Sequence, residues 1–325
     1  MEYLKKVPVC QVNSHLPSEY SFICCASFEN RCYTLPASIE ADHVSSAYVI
    51  RNIDKAMKSE NESNFRKICN EITSILPIEV HFDEPLSVME SLLETMRGLK
   101  ETQVKNLVVD ISTFTHETLL ILLKILYINR NSFESIILVY NGASEYSPWL
   151  SKGCKEVRNV IGYSGIFNPA QKYHLVVLTG FELERATRLV ELLEPDTLSI
   201  GTGIEPTNEN HQKTMTTFKR EFKDWLGNLQ SVSHKQFEFS CSDIISTTSS
   251  LQEILTKSPK DNFIFVPLNT KLSTISLALV ALSNPTVQVC YPIPEVYNMA
   301  YSKPSDNLSI IDLLKIGELS GFTNK

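Results

Sequence analysis

Glycine is scarce, at 11 of 325 residues, fewer than an average chain of this length carries. A site that cradles phosphate on a glycine-rich loop therefore starts at a disadvantage. No Walker A sequence, Gly-x-Gly-x-x-Gly fingerprint, Gly-x-Ser-x-Gly elbow or His-Glu-x-x-His occurs. Their absence removes the commonest NTPase, dehydrogenase, serine hydrolase and zinc protease readings. A basic excess is missing too: Lys+Arg 30 against Asp+Glu 37 leaves a formal charge of −7. A face built to hold extended nucleic acid through its phosphates is not expected. Long hydrophobic runs are also lacking. The longest, Leu119 to Ile128, is broken by Lys124 and is too short to span a bilayer. The opening residues Met1 to Lys6 lead into Val7 and Pro8 without the apolar core of a secretory signal. The expectation is a soluble, cytoplasmic protein with no membrane association.

Eight cysteines, at 10, 24, 25, 32, 69, 154, 241 and 290, form no Cys-x-x-Cys pair and fall mostly in or beside apolar segments. They read as reduced, packed thiols. Neither they nor the seven histidines show a zinc spacing, so no metal and no resident cofactor are expected. At 43% hydrophobic and 21% charged residues the chain is an ordinary globular one, and its length suits two domains or one large one.

Short β-rich runs alternate with helix-length patterns, the signature of a parallel sheet with crossover helices. The first half predicts strands near Ser21-Ala26, Ala47-Ile50, Ile78-Phe82, Leu107-Asp110 and Ser135-Tyr140, with helices near Arg31-Ala41, Ser63-Leu76, Leu86-Leu99 and His116-Asn129. The second half repeats the order. Its strands fall near His174-Thr179, Thr197-Ile200, Gln236-Ser240, Asn262-Val266 and Thr286-Tyr291, and its helices near Glu184-Leu193, His211-Leu226, Thr248-Thr256 and Ser273-Leu282. Phe28-Glu29 maps onto Phe181-Glu182 at an offset of 153, Val109 onto Val266 at 157 and Tyr140 onto Tyr291 at 151. The reading is α/β: two tandem Rossmann-like units with mainly parallel five-stranded sheets, related by internal duplication. The expected domains are residues 1–143, a linker or lid over 144–172, residues 173–301, and a C-terminal tail helix over 302–325.

In open parallel sheets ligands bind outside the carboxyl ends of the strands. There the first strands are followed by Glu29 and Arg31 in one half and by Glu182 and Arg185 in the other. The carboxylate could accept from hydroxyls or amines, and the guanidinium could engage phosphate; alternatively, each acid only complements the first turn of its helix. After the fourth strands come Asp110, Ser112 and Thr113, and Asn269, Thr270 and Lys271. These suit phosphate or ribose oxygens beside helix N–H groups, or plain N-capping. The helices that follow are apolar nearly all round, so each is buried on more than one side. A pseudo-two-fold packing would then bring the two polar turns together. The Gly201-Thr202-Gly203 step reads as a turn with close backbone approach. Lys213, Lys219, Arg220 and Lys223 form a basic helix face that reads as solvated, and Trp225 reads as core.

The run from Phe263 through Thr270, Lys271 and Leu272 to Ala278, a strand, a polar Thr-Lys turn and a small-residue helix, resembles the ligand loop of CRISPR-associated Rossmann-fold (CARF) sensor domains. The resemblance implies dimeric packing, a cyclic oligonucleotide bound across a two-fold axis, and a role in antiviral defence. The family's loop carries consecutive glycines before Thr-Lys, where this chain has Leu268-Asn269, and the first-half loop has no Lys. No appended nuclease or helix-turn-helix pattern is found, so output would pass through a protein partner or the Rossmann pair itself. Three functions stand open. One is a nucleotide-binding or nucleotide-sensing module with a nucleotide-like ligand. The second is an enzyme using Glu29, Asp110 or Glu182 as acid, base or nucleophile on a nucleotide or sugar-like substrate. The third is an interaction subunit with degenerate Rossmann units. An oligomer is open in each case.

Overall fold

A computed structural model describes residues 3–53, 58–147, 149–205, 209–228, 232–300 and 302–319. The chain divides into two compact units, Met1–Ser144 with Ser302–Leu319, and Glu145–Tyr301.

Along the chain, unit 1 begins with β1 (Leu4–Pro8), β2 (Tyr20–Ala26), β3 (Val44–Asn52), α1 (Lys58–Glu71), β4 (Ile75–Val80), α2 (Pro85–Glu101), β5 (Asn106–Asp110), α3 (His116–Asn129), β6 (Ser135–Tyr140) and β7 (Ala143–Tyr146). Unit 2 holds β8 (Ser151–Lys152), β9 (Glu156–Asn159), β10 (Tyr173–Thr179), α4 (Leu183–Leu193), β11 (Thr197–Ile204), α5 (Glu209–Asn228), β12 (Ser233–Ser240), α6 (Ile244–Lys257), β13 (Asn262–Pro267), α7 (Lys271–Ser283), β14 (Val287–Ile293) and β15 (Val296–Tyr297). The chain then returns to unit 1 through β16 (Ser302–Pro304), β17 (Asn307–Asp312) and α8 (Leu313–Leu319).

The fold class is α/β with parallel-rich sheets. In unit 1 the sheet order is β1-β17-β6-β5-β2-β3-β4, and the run from β6 to β4 is parallel. In unit 2 the order is β12-β11-β10-β13-β14-β9, parallel from β12 to β14. Each sheet thus holds five parallel strands in the spatial order third, second, first, fourth, fifth. The sheets themselves are seven- and six-stranded, not five-stranded. The added strands are antiparallel: β17 lies against β6 and β1 against β17, while β9 lies against β14.

These additions differ from the sequence expectation for the connecting and terminal segments. The segment 144–172 carries the edge strand of sheet 2, and 307–312 is a strand of sheet 1 where a tail helix was expected. Neither segment shows a period of its own long enough to declare a strand, because the pairing partner lies more than a hundred residues away. Other boundaries also move. Arg31-Ala41 is not a helix but a 3-10 turn over Asn30–Tyr33 followed by further turns. The β4 strand starts at Ile75, inside the stretch read as helix, and its Pro77 is tolerated because β4 lies at the sheet edge.

The central strands read as near-continuous apolar runs because both faces of a parallel sheet are covered; every residue of β2 and of β13 is buried. The helices start where their caps say. Thr115 accepts from the Thr118 N–H, Asp243 from Ile245 and Ser246, and Thr270 from Ser273. As their all-round apolar composition requires, α3 and α7 are buried along most of their length. No described helix is long and apolar enough to cross a membrane.

Candidate functional site

In unit 1 the chain leaves β2 through Ser27, Phe28 and Glu29 and enters the 3-10 turn that carries Arg31. That tight turn brings two side chains two residues apart into one buried pair. Arg31 Nε and Nη2 donate to Glu29 Oε2 at 2.9 and 2.5 Å, and Nη1 donates to the Asn141 carbonyl just beyond β6 at 2.9 Å. The Ser302 hydroxyl of β16 donates to the same Glu29 oxygen at 2.8 Å. Glu29 and Arg31 are 8% and 4% exposed, so this clasp joins the ends of β2 and β6 to β16 in a dry setting, where a charge is tolerated only when paired.

Beside it, Asp110 ends β5. Its Oδ1 accepts from the Ser112 N–H at 3.0 Å and from the Ser112 hydroxyl, whose oxygen in turn accepts from the Asn141 N–H at 2.8 Å. Asp110 Oδ2 is buried with no hydrogen-bond partner. Burial pushes this carboxyl up to about 6, although the Ser112 hydrogen bonds and the nearby Arg31 charge both pull it down. Thr113 is spent on the Cys25 carbonyl at 2.7 Å.

The first turns of α1 close the same edge. Asn64 Nδ2 donates to the Ser27 carbonyl at 2.7 Å and Asn61 Nδ2 to the Asn52 carbonyl at 3.1 Å. Asn61 Oδ1, also buried, has no partner. Asn61, Asn64 and Ser302 were not singled out from sequence. For the two helical asparagines a signal existed: their three-residue spacing places both on one helix face.

Unit 2 builds an equivalent clasp from a different local structure. Glu182 and Arg185 stand three residues apart at the start of α4. Arg185 Nη1 donates to Glu182 Oε2 at 2.5 Å, and Nε donates to the Pro292 carbonyl near the end of β14 at 3.0 Å. The Ser151 hydroxyl of β8 donates to Glu182 Oε1. The Arg185 guanidinium lies 5.1 Å from the Tyr291 ring centroid. Glu29 and Glu182 are the N-cap residues of their turns, and neither makes a side-chain hydrogen bond to its own turn.

At the fourth strand of unit 2 the polar turn is consumed by the fold. Asn269 Nδ2 donates to the Thr179 carbonyl at 2.7 Å, and its Oδ1 accepts from the Thr270 N–H at 2.8 Å and the Cys241 thiol at 3.2 Å. The Thr270 hydroxyl donates to the Cys241 carbonyl and caps α7. Lys271 is the first residue of that helix and is half-buried. The turn packs hard on its neighbours: a Cβ at Gly180 would stand 2.0 Å from the Leu268 carbonyl oxygen, and one at Gly203 2.4 Å from Cys241 Sγ. Gly201, Thr202 and Gly203 accordingly lie within β11 rather than in a turn, and the close approach is to protein.

In unit 1, then, Glu29, Arg31, Asp110, Ser112 and Thr113 come together at the strand ends. In unit 2, Glu182 pairs with Arg185 at the first strand, and Asn269 and Thr270 join Thr179 and Cys241. None of these lines the cleft of about 260 Å³ between α5, β11 and β12, where Lys219, Lys223, Phe222, Phe237 and Glu238 meet. The Lys213 side chain of the same helix lies outside the described residues. Trp225 packs against Phe222 beside the core, as its apolar surroundings suggested.

A second constellation lies at the opposite edge of sheet 2. His174 Nε2 is 2.8 Å from Ser199 Oγ, and Nδ1 is 3.1 Å from Asp261 Oδ2. The order of groups is that of a hydrolytic triad, but Ser199 and His174 are each 2% exposed. The network ties the amino ends of β10, β11 and β13. Among the described residues no group of His, Cys, Asp and Glu is placed to hold a metal.

No protein-family model matches the chain. No curated protein matches it. A solved structure described as AtPrR2 with NADP+ and (+)pinoresinol is similar at a TM-score of 0.25 and 9% identity, over 72% of this chain and 83% of that one. At that score the likeness decides neither fold nor ligand.

Proposed function

We propose that this chain is a nucleotide-binding or nucleotide-sensing protein, built from two duplicated Rossmann-like units, whose ligand is held at the strand carboxyl ends of unit 1. The observation that carries the reading is Asp110 Oδ2, a buried acceptor without a partner. It stands at the end of β5, beside β2, where the strand order of the sheet reverses. Ligands of open α/β sheets enter at that crevice, and native structures rarely leave a buried polar atom unpaired without a use for it. Duplication is supported by the shared strand order and by the paired clasps. Titration of the protein with ribonucleosides, their 5′-monophosphates and cyclic oligonucleotides, repeated on Asp110→Asn, tests the reading. Binding weakened by the substitution supports it, and no heat from any of these ligands removes it.

The resemblance to CARF sensors extends the reading to a cyclic oligonucleotide and a role in defence. Tighter binding of cyclic than of linear oligonucleotides is the result that extension requires. A second reading, an interaction subunit with degenerate units, is favoured by one observation: Asn269 and Thr270, the Thr-Lys turn of the resemblance, are committed to the fold. The enzyme reading through Glu29 and Glu182 has less support, since both acids are held by an arginine and a serine.

A further inference from the structure

Among the described residues, the fully buried side-chain atoms left unpartnered at the unit 1 strand ends are all of one kind. Both unpartnered atoms there, Asp110 Oδ2 and Asn61 Oδ1, are acceptors, and both side chains lie at most 5% exposed. They share a side of the sheet. Asp110 follows Val108 by two residues on β5, so both point to one face, and Val108 packs in the core cluster with Ile68 of α1, the helix that carries Asn61.

Several nearby side-chain donors, by contrast, are committed. Arg31 directs Nε and Nη2 at Glu29 and Nη1 at Asn141. Asn61 and Asn64 give their amide groups to the Asn52 and Ser27 carbonyls, Thr113 its hydroxyl to Cys25, and Ser302 its hydroxyl to Glu29. Two further cations of this edge are also engaged: Lys67 donates to Asn64 Oδ1 at 3.0 Å, and Arg51 pairs with Glu62 and Glu79. A phosphate placed here would meet two buried carboxyl groups, with the single buried arginine already serving one of them. A buried charge without a partner costs far more than its contacts return.

We propose, on the reading given above, that the unit 1 mouth recognises its ligand through the ligand's hydrogen-bond donors, the hydroxyls of a ribose or an amino group of a base, and makes no direct contact with phosphate. Asp110 Oδ2 accepts from one donor and Asn61 Oδ1 from another. An ionised carboxylate accepts more strongly than a neutral one, so the donor-bearing ligand draws Asp110 towards its charged form. Affinity then rises as the pH is raised through about 6.

Calorimetry with the four ribonucleosides, their 5′-monophosphates and inorganic phosphate decides the matter. The expected result is that one nucleoside binds, that its monophosphate binds within about threefold of it, and that inorganic phosphate neither binds nor competes. Asp110→Asn weakens the nucleoside at least about tenfold and flattens its pH dependence; Asn61→Ala, a milder change, weakens it about threefold. A monophosphate that binds tenfold tighter than its nucleoside overturns this inference while leaving the proposed function standing. So does nucleoside binding that both substitutions leave unchanged in folded protein. A wild-type protein that binds none of these ligands overturns the inference, and one that gives no heat with cyclic oligonucleotides either overturns the function on which it rests.

Discussion

In unit 1 the arginine of the clasp follows its glutamate by two residues across a 3-10 turn, and in unit 2 by three residues on the first turn of an α-helix. The two backbones differ, yet the side chains reach the same end: a Glu–Arg pair, with Glu29 buried and Glu182 half-buried, a serine hydroxyl on the glutamate, and a carbonyl at the end of the fifth parallel strand on the guanidinium. The serines, Ser151 and Ser302, are 151 residues apart, as are Asn141 and Pro292, whose carbonyls accept from the arginines, and their neighbours Tyr140 and Tyr291. Each serine sits on a segment that lies beyond one fifth strand in sequence and serves the sheet that precedes or follows it. The same holds for the edge strands: β9 follows β6 in the chain and joins β14, and β17 follows β14 and joins β6.

The fourth strands part company. Unit 1 ends β5 with Asp110, and unit 2 ends β13 with Pro267. The turn from β13 to α7 is also two residues shorter than the turn from β5 to α3, and it presses on Gly180 and Gly203. The clasp is therefore a property of the architecture and is kept in both units, whereas the unspent acid belongs to unit 1 alone. A shared feature of this kind reads as structural, and an unshared one points to function.

The strongest way to break the comparison is to remove each arginine. Arg31→Ala and Arg185→Ala each take the arginine from its glutamate, buried in unit 1 and half-buried in unit 2, and are expected to cost up to about 3–5 kcal/mol in chemical denaturation, the smaller loss at Arg185. A large loss in one unit and none in the other would end the equivalence of the two clasps. Asp110→Asn acts in the opposite direction. Because folding raises the Asp110 pKa from 3.8 to about 6, the fold favours its protonated form. Its contribution is fully present below pH about 4 and is lost as the pH rises through about 6. Asn at this position should stabilise the protein at pH 7 by about 2–3 kcal/mol and remove that part of the pH slope, as melting curves from pH 3.5 to 7.5 will show.

Smaller effects sharpen the comparison. Ser151→Ala and Ser302→Ala each remove one hydrogen bond to the clasp carboxylate and should cost about 1–2 kcal/mol, in equal measure, by the same denaturation assay. His174 has the sign opposite to Asp110. Burial lowers its pKa despite the Asp261 partner, so its contribution is present above pH about 6.5 and is lost as the pH falls through the lowered value. Hydrogen exchange at pH 5 against pH 7.5 should show the amino ends of β10, β11 and β13 opening faster in acid, while the corresponding ends of β2, β3 and β5 do not.

Much of the parallel core was legible in the sequence, because runs such as Phe22-Ile23-Cys24-Cys25 and Phe263-Ile264-Phe265-Val266 must be covered on both faces. The crossover helices were legible too, except where a local preference competed, as at Arg31-Ala41. The edge strands β9 and β17 were not legible: each is a short segment made into a strand by a distant partner's unpaired N–H and C=O groups. Of the candidate residues, Glu29, Arg31, Asp110, Ser112 and Thr113 were picked out by chain position and do gather at one place. Their division into committed and unspent groups was not readable, since it depends on Asn141, Ser302 and the α1 asparagines.

Composition and periodicity alone determined that this chain builds parallel sheets with crossover helices, and its scarce glycine set the expectation that any phosphate recognition relies on side chains and helix N-termini rather than a glycine-rich cradle. Only the tertiary structure decided what those side chains do. A glutamate and an arginine near each other in sequence can hold a ligand or hold each other. Burial chose the second, because two charges removed from water persist only as a pair, and it left one carboxyl oxygen of Asp110 in unit 1 with no partner.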